Sequence, residues 1–228
     1  MERGGQVVVA THNQGKLVEM RRILDSLLGD DRFGIELVSA SDLNLPDPVE
    51  TGTTFEANAL LKAKQTAELS GLPALADDSG LIVDIMGAAP GILSARWSGR
   101  HGDDQANIDL LLSQLRDIPD ESRTARFVCA AALVVPDEPG YPVRNRHTVR
   151  QGEMPGRIIR TPRGGDGFGY DPIFEPDDQP ARAGTDHRLT SAEMSPDQKN
   201  AISHRGKALA AIMPVLIRWV LDDGHDVS

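Results

Sequence analysis

The stretch "TARFVCAAALVV", Thr124 to Val135, constrains the chain most. It is apolar almost throughout, yet far short of the ~20 residues that a membrane helix needs. The turn-forming "PDEPGYP" ends it. It therefore reads as a buried strand, and a chain built around such a strand needs other elements to cover it. Cys129, in the middle of this stretch, reads as core packing. It is the chain's single cysteine, so no internal disulfide can form and a reducing cytoplasm is the expected setting.

Other elements are arranged around this strand. Val7 to Ala10 reads as a short buried strand, and Leu17, Met20, Ile23, Leu24, Leu27 and Leu28 follow helical spacing up to a stop at Gly29. The loop "SDLNLPDPVETG" comes next. Thr53-Thr54-Phe55-Glu56 has the form of a capping box and predicts a helix to about Ser70. "ALADDSGLIVDIM" reads as two short strands, or a strand-turn-strand, around residues 77–80. Ile108, Leu111, Leu112 and Leu115 mark a helix, and 143–149 and 157–161 read as strands. Residues 176–190 read as a flexible loop. Ser195-Pro196-Asp197-Gln198 is a second capping box, opening a helical region to about Leu221 with a kink at Pro214. Strands and helices are mixed from end to end with no linker, which predicts an α/β fold and a single domain over 1–228.

Net charge is −10, with Lys+Arg 24 against Asp+Glu 34. Nucleic acid and anionic membranes are disfavoured as partners, since both need an electropositive surface. The N-terminus does not have the form of a signal peptide. Motifs of zinc hydrolases, serine hydrolases and dinucleotide-binding folds are absent from the sequence.

Four polar clusters remain. The first is Thr11-His12-Asn13-Gln14-Gly15-Lys16, at a strand end and helix start. Backbone N–H groups and the helix dipole favour an anion there, although a plain capped corner has the same outline. The second is Asp77-Asp78-Ser79-Gly80 between apolar flanks. Buried acids need partners or a metal, and Glu50 in the preceding loop can converge with one of them; a structural turn is the alternative. Adjacent strand residues point to opposite faces, so only one of the two acids can serve a given site. Carboxylates with water suit Mg²⁺.

The third cluster is the glycine-rich "GGDGFGYDP", Gly164 to Pro172. Phe168 and Tyr170 can stack on a planar ring, or they pack inward in a hairpin. The fourth is Ser203-His204-Arg205-Gly206-Lys207 with Lys199 one turn earlier. These cations form either a solvated face or an oxyanion site. A phosphate cradle, a carboxylate pair, a ring-stacking loop and a cation cluster together describe a nucleoside polyphosphate site.

The motifs "ATHNQGK", "ETGTTFEANALLKA", "ALADDSGLIVD", "GAAPGILSARWSG", "GGDGFGYDPIF" and "SHRGKAL" follow one another in this order. In that order the chain resembles the inosine/xanthosine triphosphate pyrophosphatases, from about Val7 to Leu216. The resemblance implies a long mixed β-sheet flanked by helices, two lobes with a central substrate cleft, and a cytoplasmic homodimer. It implies Mg²⁺-dependent hydrolysis of non-standard purine triphosphates to the monophosphate and pyrophosphate. Asp78 would be general base and metal ligand. Thr11, His12, Asn13, Gln14, Gly15 and Lys16 would take the phosphates, and Ser79 would contact the substrate. Phe168, Gly169, Tyr170, Asp171, Lys199, His204 and Arg205 would line the base. Val49 stands where many relatives carry an acid, so Glu50 is the expected second metal ligand. A pyrimidine-type triphosphate pyrophosphatase and a non-catalytic nucleotide binder are the other readings.

Overall fold

A computed structural model of the chain describes residues 5–11, 13–29, 32–136, 146–180 and 187–222. It contains a six-stranded mixed sheet in the order β2-β1-β3-β4-β5-β6. Strand β1 (Gly5–Val9) is the apolar run expected near the N-terminus, with Val7, Val8 and Val9 fully buried. Helix α1 (Gln14–Leu28) follows and ends at Gly29, as the sequence predicts. Strand β2 (Ile35–Ser39) runs parallel to β1, which also pairs in parallel with β3 (Ala74–Val83). Helix α2 (Phe55–Ser70) lies between β2 and β3 in sequence. Helix α3 (Asp104–Gln114) precedes β4 (Thr124–Val135), the strand from which the fold was inferred. Cys129 is completely buried within it. Strands β5 (Arg146–Ile158) and β6 (Phe174–Pro176) pair antiparallel, and α4 (Pro196–Ile202) and α5 (His204–Asp222) complete the chain.

By compactness the chain divides into two units. One comprises Met1–Asp78, Ala130–Gln151 and Arg205–Ser228; the other comprises Ser79–Cys129 and Gly152–His204. In the first, Met20 and Leu24 of α1, Ala59, Ala63 and Ala67 of α2, and Leu209, Ile212 and Leu216 of α5 are buried. In the second, Leu81, Val83, Ile108, Leu111, Phe127, Met154, Ile158, Tyr170 and Phe174 belong to one apolar core.

Several sequence expectations need correction. Residues 74–83 form a single strand rather than two, because the polar residues at its centre are buried with ion-pair partners instead of turning out to water. The cap of α2 is Thr54, whose hydroxyl accepts the Ala57 N–H at 3.1 Å. Glu56 bonds to Gln151 instead of closing a capping box. Strand β2 was not anticipated. Of the two strands expected at 143–149 and 157–161, residues 143–145 lie outside the described residues, 146–149 and 157–158 belong to a single strand, and 159–161 lie beyond it. In β5 the inward positions are Gly152, Met154, Gly156 and Ile158, so half of its buried face carries no side chain for a hydrophobic pattern to register. The helical region after Ser195 breaks at Ser203, whose ψ of 150° is extended, and α5 runs through Pro214. The capping box at Ser195 and Gln198 forms as expected. In the 176–190 segment, residues 181–186 lie outside the described residues. Its two ends are joined by Gln179, which donates to Pro176 O and Leu189 O and accepts the Leu189 N–H. No helix among the described residues is long and apolar enough to cross a membrane.

Candidate functional site

The corner between β1 and α1 is set by its own side chains. Asn13 Oδ1 accepts the Lys16 N–H at 3.0 Å, and the Asn13 N–H donates to Thr11 Oγ1 at 3.3 Å. The cap satisfies one of the amides at the start of α1 and leaves the helix dipole directed at whatever lies beyond it. Thr11 is buried, Asn13 and Gly15 are exposed, and Lys16 is half-buried. Gln14 opens the helix, and His12 lies outside the described residues.

Asp78 is buried in β3 of the same unit, at 5% exposure. Its Oδ2 accepts from Asn58 Nδ2 at 3.1 Å, and its Oδ1 lies 3.4 Å from Lys62 Nζ. The same ammonium meets Glu50 Oε1 at 2.7 Å. Glu50 and Asp78 therefore converge on one lysine, which realises the convergence expected from sequence. Burial pushes the Asp78 carboxyl above the usual range and Glu50 adds to this, while Lys62, Lys16 and the Asn58 bond offset it only in part. Burial acts against the Lys62 ammonium too, but Asp78, Asp77 and Glu50 outweigh it and hold Lys62 above its ordinary value. Neighbouring negative charge holds Lys62 up, whereas Asp78 is raised first by its burial and then by Glu50.

Asn58 and Lys62 were not singled out from the sequence. They occupy α2 four residues apart, and Thr66 continues the row; all three are buried. A polar row at helical spacing beside the buried Ala59, Ala63 and Ala67 is the signal that identifies them. Asn58 is in turn oriented by the loop before α2, since its Oδ1 accepts the Gly52 N–H at 2.8 Å. This leaves its amide nitrogen aimed at Asp78. A Cβ on Gly52 would lie 2.6 Å from Asn58 Oδ1, so the glycine of "ETG" permits the contact.

Asp77 has different partners from Asp78, as strand alternation requires. Arg205 Nε donates to Asp77 Oδ2 at 3.0 Å, and Arg205 Nη1 donates to Glu19 Oε2 at 2.6 Å. Arg205 is 1% exposed. Its guanidinium is thus held in a buried ion cluster joining α1, β3 and α5, where the sequence reading had it facing a base.

In the second unit, the glycine-rich loop is fastened from several sides. Asp171 is buried and accepts the Phe168 N–H at 2.9 Å and Lys199 Nζ at 2.7 Å. Lys199 Nζ also lies 5.1 Å from the centre of the Phe168 ring, within cation–π range. The Gly169 N–H donates to Asp104 Oδ2 at 2.7 Å, and the Tyr170 hydroxyl donates to Ser94 O at 2.9 Å. Tyr170 is therefore packed inward, which settles one of the two options for this aromatic pair, while Phe168 stays half-buried. His204 is buried against Phe127, ring on ring at 4.9 Å. Ser79 follows Asp78 in β3 and is half-buried.

An α/β chain with an anion-favouring strand-to-helix corner and a buried carboxylate–lysine cluster in one unit has the parts of a protein that handles phosphate esters. The model of the Ham1 family matches residues 7–215. The chain belongs to the Ham1 family. It is 63% identical to the dITP/XTP pyrophosphatase of Bifidobacterium animalis subsp. lactis, over 96% of this chain and 99% of that one. A relative from Streptomyces coelicolor with the same name is 50% identical, over 92% and 96% of the two chains. Among solved structures, a HAM1 protein from Coxiella burnetii aligns with a TM-score of 0.75 at 39% identity, covering 92% of this chain and 98% of its own. The nucleoside-triphosphatase / dITP/XTP pyrophosphatase from Mycobacterium abscessus aligns with a TM-score of 0.67 at 48% identity, covering 92% and 99%.

Proposed function

We propose that the chain hydrolyses non-standard purine nucleoside triphosphates, dITP, ITP and XTP, to the monophosphate and pyrophosphate, and so cleanses the nucleotide pool. The observation that carries this is the cluster of Asp78, Glu50, Asn58 and Lys62, in one unit with the Thr11–Lys16 corner. The names of the relatives supply the substrate class.

The donor set supports Mg²⁺. Glu50 and Asp78 present hard carboxylate oxygens around one point, and their local negative charge exceeds what Lys62 neutralises. No group of three or more His, Cys, Asp or Glu side chains suited to a metal occurs among the described residues. Two carboxylates completed by water and substrate oxygen are the usual holding of Mg²⁺, which prefers such shared sites to protein cages. Bound by Asp78 and Glu50, the ion would neutralise triphosphate charge and polarise the reacting phosphoryl group.

The chain's own groups account for the rest. Asp78, with its carboxyl raised toward neutrality, accepts the proton of the water that attacks the α phosphorus. The new bond joins that water's oxygen to phosphorus, and the bond to the bridging oxygen breaks as pyrophosphate leaves. Asn58 fixes the rotation of the Asp78 carboxylate, and Lys62 offsets charge on the phosphates. Thr11, Asn13, Gly15 and Lys16, with the amides at the start of α1, hold the leaving phosphates, and Ser79, which follows Asp78 in β3, is assigned to the substrate. Phe168, Gly169, Asp171, Lys199 and His204 are assigned to the purine, Phe168 by its half-buried ring and Lys199 by its charge. The reading extends to a cytoplasmic homodimer, formed by a single domain that does not bind nucleic acid, in keeping with a net charge of −10 and one reduced, buried cysteine.

The test is to incubate purified protein with ITP and Mg²⁺ and follow products by phosphorus NMR. Pyrophosphate and IMP are expected. Release of orthophosphate overturns the reaction proposed, and preferential turnover of dTTP or UTP overturns the purine assignment.

A further inference from the structure

Asp104 belongs to none of the clusters read from the sequence, yet it makes a specific contact with one of them. It is the first residue of α3, and the neighbouring Asp103 already caps the helix by accepting the Ala106 N–H at 3.2 Å. The Asp104 carboxylate is not needed for that cap. It points out of the helix start and accepts the Gly169 N–H, 65 residues away in sequence, at 2.7 Å. A carboxylate at a helix N-terminus is favoured by the helix dipole, so this acceptor is well placed. Its distance is that of a charge-assisted hydrogen bond.

The same loop is gripped from its other end by Asp171, which accepts the Phe168 N–H and is itself neutralised by Lys199. Two successive amides, those of Phe168 and Gly169, are thus each taken by a carboxylate, and the two carboxylates come from different elements. Neither amide remains to donate to a purine oxygen. The loop presents its half-buried Phe168 ring instead, with the Tyr170 hydroxyl anchored on Ser94 O. Burial, then the nearby Asp104 charge, pushes the Tyr170 phenol up, so it remains a protonated donor to that carbonyl.

We propose that Asp104 is a positioning residue of the base-side loop: by holding the Gly169 N–H it fixes the backbone of Phe168, Gly169 and Tyr170 in the conformation that receives the purine. This rests on the reading of the chain as a purine triphosphate pyrophosphatase. Removal of the acceptor takes the Gly169 amide's partner away and loosens the loop at that point, leaving Asp171 and the Tyr170 hydroxyl to hold it. The cost falls on substrate binding, because no group that acts on the phosphates has moved.

The test compares the full chain with Asp104→Ala and Asp104→Asn. Steady-state turnover of ITP with Mg²⁺ is measured alongside amide hydrogen exchange of residues 165–173 without nucleotide. Asp104→Ala is expected to raise KM for ITP about tenfold, the usual consequence of one lost charge-assisted bond. It should leave kcat within about twofold and speed exchange in the loop. Asp104→Asn keeps an acceptor oxygen and should restore both KM and slow exchange. An unchanged KM in Asp104→Ala, or an Asn variant as impaired as Ala, overturns the proposal. So does an Ala variant that fails to fold or loses kcat along with KM, since either marks a merely structural role. Absence of ITP turnover in the wild type refutes the activity itself. In that case the exchange comparison decides the clamp alone: unchanged exchange in Asp104→Ala overturns it, and faster exchange reversed by Asn supports it.

Discussion

At Asp78 the catalytic role proposed above and the stability of the fold pull in opposite directions. Its carboxyl is raised by burial, so the ionised form is destabilised in the folded protein. For an acid shifted this way, the favourable contribution is present below its unfolded value and is lost as pH rises through the folded one. At neutral pH the folded state therefore carries an unfavourable charge that Lys62 and Asn58 only partly relieve. Asp78→Asn removes that charge while keeping the shape. It should cut ITP turnover by about 10³-fold, and its melting temperature at pH 7 should equal or exceed the wild type's. A sharp fall in melting temperature would show that Asp78 serves the fold. Gly52 makes the complementary case. Its N–H sets Asn58, and a methyl group there would overlap Asn58 Oδ1 and the Asn58 backbone nitrogen. Gly52→Ala should lower kcat for ITP by about tenfold through Asp78, whose orientation depends on Asn58. Kinetics with Asp78 and Lys62 intact would read this directly. Tyr170 gives a pH effect. Its phenol is raised above its ordinary 10.0, so its stabilisation holds below that value and is lost as pH rises further. Tyr170→Phe should cost about 1 kcal/mol near pH 7, for the lost bond to Ser94 O. It should lose less than the wild type on moving to pH 11, as urea unfolding at the two pH values will show.

At the scale of elements, legibility from sequence depended on where the side chains carry the pattern. Strands β1 and β4 were read correctly because each holds a continuous apolar run that is buried, and helices α1 and α3 because their apolar residues follow the helix period. Strand β5 was split in two because Gly152 and Gly156 occupy inward positions. The reason lies in β6: a Cβ at residue 156 would overlap Glu175 O and the Phe174 ring, so close pairing excludes a side chain there. Gly156→Ala should destabilise the fold by about 2 kcal/mol, and a drop in the urea midpoint with an unchanged m-value would show it. β2 escaped notice because it is a short edge strand in which only Ile35 and Ser39 are buried, and Ser39 is polar. The site followed the same rule. Thr11 and Lys16 stood out as polar residues directly after an apolar strand, and Asp78 as a polar residue inside one. Asn58 and Lys62 were hidden in a helix that reads as ordinary alanine-rich sequence until its buried face is known. Arg205 was recognised as a notable cation, but the acids that hold it, Glu19 and Asp77, lie 186 and 128 residues away, and no local pattern links them.

For the molecule as a whole, that last cluster matters most, because it ties the two ends of the chain to a central strand within one unit. Arg205 lies in the first turn of α5 near the C-terminus, Glu19 belongs to α1 near the N-terminus, and Asp77 sits in β3. All three are buried, with exposures of 1%, 8% and 2%. Coulomb attraction over 2.6 and 3.0 Å offsets the cost of desolvating these charges while all of them are present. Loss of the arginine leaves two carboxylates in the interior. Arg205→Met should therefore destabilise the protein by about 3–5 kcal/mol. Neutralising the acids as well, in Arg205→Met with Glu19→Gln and Asp77→Asn, should recover much of the loss, since no uncompensated charge then remains buried. Urea unfolding of the single and triple variants distinguishes this from a role confined to the nucleotide. If Arg205 served only to hold substrate, Arg205→Met would keep the wild-type midpoint and raise KM alone, and the triple variant would be no more stable than the single one.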